Sequence, residues 1–132
     1  ARTVSGLASR DDQGVVRVVL YSHAAADTQS RSEAACDVAL EVDRPGWDGP
    51  ALIEQYRFDK EHNTYVREAR SLEAAHPGNV YPRAEVEKIQ DLAQCRPTYT
   101  ATHRPDADGR LRLTARVAVN GLNILVIRPG GK

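Results

Sequence analysis

Apolar positions recur with period two along most of this chain and with a longer period over one central stretch. Over Cys36–Asp43 (CDVALEVD), Val38, Leu40 and Val42 share one face, while Asp37, Glu41 and Asp43 fall with Ala39 on the other, the pattern of a half-buried strand. Residues 110–119 repeat it, with Leu111, Leu113, Ala115, Val117 and Val119 on one side. Residues 15–22 (VVRVVLYS) are almost continuously apolar and rich in β-branched side chains, which predicts a central strand buried on both faces. Further strands are predicted over residues 3–9, Ala51–Phe58, residues 98–103 and residues 122–127. Asp11-Asp12-Gln13-Gly14 and residues 105–109 read as turns, and Asn120-Gly121 as a tight hairpin turn of the primed type. Residues 24–32 are small and polar, a loop, and residues 44–50, with two Pro and two Gly, form a connection between strands.

Between residues 60 and 96 the period changes. Tyr65, Ala69 and Leu72 stand at i, i+4 and i+7, predicting an amphipathic helix over 63–75 that His76-Pro77-Gly78-Asn79 stops. A second helix is predicted over 82–94, with Pro82 at its first position and Val86, Ile89, Leu92 and Ala93 on one face. The expectation is a mainly β protein: a two-sheet antiparallel β-sandwich with a helix-loop-helix insert, one domain over 1–132 with the insert at 60–96.

Length and charge narrow the function classes. The 132 residues are 41% hydrophobic, enough for one core. Lys plus Arg number 18 against 18 Asp plus Glu, so the basic footprint of nucleic-acid binders and polybasic membrane proteins is missing and neither partner is expected. No apolar run approaches the roughly 20 residues of a membrane span, and the first ten residues lack a signal peptide's apolar segment, so a soluble chain is expected. With no Met and Ala1 in first place, the sequence reads as a fragment or a processed chain.

Familiar catalytic patterns are missing. His23, His62, His76 and His103 are scattered, with neither HExxH nor other metal-ligand spacing, and no GxSxG, Walker loop or GxGxxG occurs, so neither metal nor cofactor is expected. The 18 carboxylates single out no acid and base pair, because most carboxylates on a small domain form a solvated surface. Cys36 and Cys95 either form a disulfide tying the insert to the sheet, worth about 4 kcal/mol in the loop-closure account, or are two small buried residues. Trp47, the only Trp, is a candidate for stacking on a sugar ring; its alternative is packing over the end of the sandwich or against another domain.

One segment is more specific. The run EQYRFDKEHNTY, residues 54–65, resembles the segment Y-R-I-D-x-x-H-S-N-x-Y found after the catalytic barrel of glycoside hydrolases of family thirty-nine, which contains β-xylosidases and α-L-iduronidases. Tyr56, Arg57, Asp59 and His62 match directly, Phe58 stands for Ile, and Asn63 and Tyr65 match once the Ser position is deleted. Residues 16–23 look like the family's first strong sandwich strand. Residues 82–94 look like its helix beginning P-T-P-E-Q, with Tyr81 where a capping Thr is usual, a loss of about 1 kcal/mol. The final apolar strand ending at Pro129 fits as well, and the family's sandwich carries a helix-loop-helix at this place.

The resemblance implies that chemistry lies elsewhere. The family's acid/base and nucleophile are two Glu residues at the ends of barrel strands, a retaining pair, and no barrel is present here, so Glu54, Glu61 and Glu68 inherit no catalytic role. This chain then looks like the noncatalytic accessory sandwich that packs on and stabilises the catalytic β/α barrel of a parent glycosidase. Tyr56, Asp59, His62, Asn63 and Tyr65 are its candidates for the barrel interface or active-site mouth. Their local alternative is that Asp59 terminates a strand while His62 and Asn63 satisfy the helix start. Two other classes stand beside this reading: a carbohydrate-binding module using Trp47 and exposed Tyr residues on an oligosaccharide, and an immunoglobulin-like interaction domain. Secreted, periplasmic and cytoplasmic settings all fit.

Overall fold

The strands are built where the two-residue alternation is strongest. The computed structural model describes residues 4–23, 35–43, 47, 49–78 and 80–130. In chain order these form β1 (Val4–Arg10), β2 (Val16–Ser22), β3 (Cys36–Asp43), β4 (Ala51–Phe58), α1 (Val66–Ala75), α2 (Arg83–Leu92), β5 (Tyr99–His103), β6 (Arg110–Val117) and β7 (Leu122–Pro129). One antiparallel sheet runs β1-β2-β7-β4-β5, and β3 pairs antiparallel with β6 in a second. The alternating faces of the two sheets meet: Val18 and Leu20 from β2, Ala51 and Ile53 from β4, and Leu125 and Ile127 from β7 pack on Leu111, Leu113, Ala115 and Val117 of β6. Val38, Leu40 and Val42 of β3 close the same core. The expected sandwich with a helix-loop-helix insert is the fold observed, the helices lying between β4 and β5.

Several local expectations are corrected. β2 is central by pairing, held between β1 and β7, yet only one face is buried: Val18, Leu20 and Ser22 point inward, while Arg17 and Tyr21 are exposed. The second sheet covers one side of the first, so a continuous apolar run still has a wet face. Pro82 is the cap of α2 rather than its first residue, its ψ of 137° being extended, which leaves Tyr81 one place outside the cap, where a capping hydroxyl is not missed. The turn before β7 is not of the primed type. Asn120 alone takes a positive φ, 54°, at the third place of a turn closed by the Gly121 N–H on Ala118 O at 2.9 Å, a type II arrangement. The predicted loop at 24–32 and most of the 44–50 connection lie outside the described residues.

The first hairpin follows its sequence. Asp11 Oδ1 accepts the N–H groups of Gln13 and Val15 at 2.9 and 3.0 Å, and Gly14 takes a φ of 81°. A Cβ at Gly14 would sit 2.8 Å from Trp47 Nε1. Gly14→Ala is therefore expected to lower stability by about 2 kcal/mol, from the left-handed backbone and the indole together. A urea midpoint equal to that of the parent chain would contradict this.

The unequal sheets leave a gap. β6 packs across β2 and β7. On the β4–β5 side the larger sheet lies beyond it, and a cleft of about 390 Å³ opens there. The helices are amphipathic, but none of their side chains is buried: Ala69 and Leu72 of α1 and Val86, Ile89 and Leu92 of α2 are only half covered.

Candidate functional site

Where β4 ends, the chain folds back on one carboxylate. The Asp59 side chain is 5% exposed, and its Oδ1 accepts the N–H groups of Glu61 and His62 at 2.9 and 3.0 Å. The same oxygen lies 2.7 Å from His62 Nδ1, and Oδ2 faces Arg57 Nη2 at 3.3 Å as an ion pair rather than a hydrogen bond. Burial, the largest single influence, pushes this carboxyl up, but the Glu61 N–H, His62 and Arg57 together outweigh it and hold the pKa below its ordinary value. Asp59 is thus an ionised anchor. It is not a proton donor, which would need a raised pKa. With Nδ1–H on Asp59, His62 keeps Nε2 as its remaining nitrogen.

Asn63 makes a second clamp. Its φ of 49° is left-handed, a conformation Asn tolerates and a helix does not, which is why α1 begins at Val66 rather than residue 63. Asn63 Nδ2 donates to the carbonyl oxygens of Arg57 and Arg96, each at 2.9 Å, and Oδ1 accepts the Arg96 N–H at 3.1 Å. The Arg96 side chain in turn donates to Asp91 O at 3.0 Å and pairs with Asp91 Oδ1 at 2.7 Å, closing the C-terminal end of α2. The two ends of the insert are thereby stapled to each other. His62 and Asn63 do not serve the helix start as the local reading had it; Tyr65 is the cap residue, 44% exposed, with no side-chain capping bond.

The remaining candidates lie apart from this loop. Tyr56 belongs to the opposite face of β4 from Arg57, where its hydroxyl donates to Glu54 Oε2 at 3.0 Å and Glu54 Oε1 pairs with Arg128 at 2.8 Å. That hydrogen bond, with burial second, raises the phenol's pKa. Trp47 is half-buried, packed over Gly14 and against the core. No bridge joins Cys36 and Cys95: Cys36 opens β3, while Cys95 is exposed beyond α2, on the far side of β4 in chain order, so the two are neither cross-linked nor both buried. Among the described residues no three His, Cys, Asp or Glu converge as a metal site, and no helix is long and apolar enough to cross a membrane.

Sequence reasoning overlooked the cleft beside this loop. Arg57 and His62 line it together with Gln55, Tyr99, His103 and Arg116, over an apolar floor of Ile53, Leu113 and Leu125. A signal was present in β4, where the inward alternation Ala51, Ile53, Gln55, Arg57 turns polar at its end. The matching positions on β5 and β6 are far away in sequence.

No protein-family model matches the sequence, and no curated protein does. Solved structures do match. The bacterial orthologue of human α-L-iduronidase superposes with a TM-score of 0.73 at 16% identity, over 96% of this chain and 22% of its own. A family-thirty-nine glycoside hydrolase from Xanthomonas axonopodis pv. citri gives 0.64 at 14% identity, over 94% and 26%. The monomeric β-xylosidase of Caulobacter crescentus CB15 gives 0.62 at 17%, over 96% and 26%. The fold is that of a region within these three enzymes. The chain spans about a quarter of the length of these structures.

Proposed function

We propose that this chain is the noncatalytic sandwich of a family-thirty-nine glycosidase, folding against a catalytic β/α barrel and placing the loop of residues 59–65 at the barrel's contact surface. The observation that carries the reading is the likeness to three glycosidases over 94–96% of this chain and only 22–26% of theirs. The resemblance in sequence falls on the residues that build the loop: Arg57, Asp59, His62 and Asn63 are its structural members. A noncatalytic role is also consistent with the carboxylates present. A retaining pair needs two carboxyls about 5 Å apart across a substrate pocket, one of them with a raised pKa. Here Asp59 is held ionised by its neighbours, Glu54 is tied to Tyr56 and Arg128, and no Asp or Glu lines the cleft among the described residues. The half-covered faces of α1 and α2 supply further apolar surface for a large neighbour.

The test uses the protein encoded by the complete reading frame. With His62→Ala in that protein, hydrolysis of aryl β-xylosides or iduronides is expected to fall several-fold and the melting temperature by a few degrees, as an interface contact is lost. Unchanged values of both would remove His62 from the interface, and a reading frame without a barrel would remove the proposal itself.

A further inference from the structure

We infer that the two-stranded sheet is short of a strand, and that the free edge of β6 receives an extended segment of the same polypeptide from outside these 132 residues. The source of that segment rests on the proposed glycosidase function, under which the chain is about a quarter of its protein. Among the described residues β6 has one partner strand, β3, so its other edge is unpaired. Two hydrogen bonds show which residues face that edge. Arg110 O accepts the Asp106 N–H at 2.8 Å, within the turn that leads into β6, and Arg116 O accepts Asn123 Nδ2 from β7 at 2.8 Å. Neither donor belongs to β3, so these carbonyls point away from it. Backbone groups of alternate residues share a side, and the N–H and C=O of Arg112 and Thr114 therefore point the same way, toward no strand.

The cleft lies against this edge. Leu113 faces inward, Thr114 and Arg116 alternate onto the outer face of β6, and all three border the cleft, so the cleft reaches the backbone edge itself. Its floor is the inward face of β4 and β5, with Ile53, Gln55, Tyr99 and His103. A smaller cavity of about 230 Å³ shares Arg57 and His62 with it and continues to Ala118 and Val119, past the end of β6. The two make a groove along one strand and above a sheet, the geometry of strand addition. Neighbouring strands lie about 4.8 Å apart, and the larger sheet runs two strands, β4 and β5, beyond β7. A lone strand fits above them. A second copy pairing through its own β6 would bring its β4 and β5 into the same space. Charge specifies the occupant's faces. β3 sets Asp37 and Glu41 beside Arg116 and Arg112, yet the Arg116 side chain stays 63% exposed with Asp37 3.9 Å away. The incoming strand thus places an acidic side chain outward beside Arg116 and apolar ones inward over Ile53 and Leu125.

Hydrogen exchange resolved by residue, on the protein encoded by the complete reading frame, tests this within one strand. The amides of Leu113 and Ala115 face β3 and are protected in either case. Thr114 and Arg116 are exposed in the present chain, so their amides are protected only when a further strand lies along the other edge. All four are expected to exchange at least about a hundredfold more slowly than unstructured chain, at every protein concentration. Fast exchange at Thr114 and Arg116 beside protected Leu113 and Ala115 would overturn the inference. Protection of Thr114 that appears only as concentration rises would overturn it too, assigning the edge to a second molecule. The two proposals fail separately: a barrel with fast exchange at Thr114 removes only the added strand, and a longer frame without a barrel but with Thr114 protected removes only the glycosidase. A frame that ends with these residues overturns both.

Discussion

Ile127→Ala is expected to destabilise the fold by about 3–4 kcal/mol, the largest effect of any single truncation considered. Ile127 is fully buried at the middle of the five-stranded sheet, where its strand is bonded on both sides and it stands opposite Val16 of β2 and Ile53 of β4. Its side chain meets the β6 row of Leu111, Leu113, Ala115 and Val117, so removing it opens a cavity between sheets that are fixed by their own hydrogen bonds and collapse poorly around it. The comparison is Leu7→Ala. Leu7 lies on the edge strand β1 and is 72% exposed, and its loss should change stability by no more than about 0.5 kcal/mol. Urea unfolding with an unchanged slope, a large fall in midpoint for the first variant and none for the second, is the expected result. Equal midpoints would mean that the packed face of the sheet is not the one described.

The contrast between these two leucine-family positions shows what the sequence made legible. Alternation located the inward faces of β3 and β6 residue by residue, because a strand with one wet face writes its burial in every second letter. The same rule misread β2. Val15, Val16, Val18, Val19 and Leu20 look like a strand covered on both sides, but how many sides are covered is decided by a second sheet assembled from β3 and β6, further along the chain, and Val19 lies on the face that sheet does not cover. The first helix begins later than its sequence predicts, because Asn63 is committed to Arg57 and Arg96, and the second of these partners is 33 residues distant.

The site was legible in half of its members. Arg57, Asp59, His62 and Asn63 sit within seven residues, so a recognisable segment carries them together. The cleft was not, because it results from stacking five strands on two, and its walls come from β4, β5 and β6. No pattern within any one strand records that mismatch. Only the polar end of the inward row on β4 hinted at it, as Gln55 and Arg57 occupy places where a fully covered strand would carry apolar side chains.

Removing the Asp59 carboxyl is the second large effect expected. Asp59→Ala deletes the acceptor of two backbone N–H groups and of His62 Nδ1, and leaves Arg57 without its counter-ion beside an Nε that already lacks a partner. The expected loss is about 2–3 kcal/mol, below the figure for a wholly buried ion pair because Arg57 keeps 23% of its surface in water. Asp59→Asn separates charge from shape, and pH reads the difference. The carboxyl's pKa is lower in the fold than its ordinary value of 3.8, so its contribution is complete well above that value and is lost as pH falls through the folded pKa. The parent chain should therefore exceed Asp59→Asn in stability at neutral pH, and the margin should close as pH falls through the folded pKa of Asp59. Asp11 and Asp108 are also held below their ordinary pKa, but they are present in both chains and cancel in the comparison. A margin that persists undiminished to pH 2 would assign the effect to packing instead of charge. If it closes as expected, the loop that presents His62 is held by an ionised carboxylate, and acid should loosen the loop before it unfolds the sheets, because Asp59 anchors the insert and contributes nothing to the packing of Leu111, Val117 and Ile127.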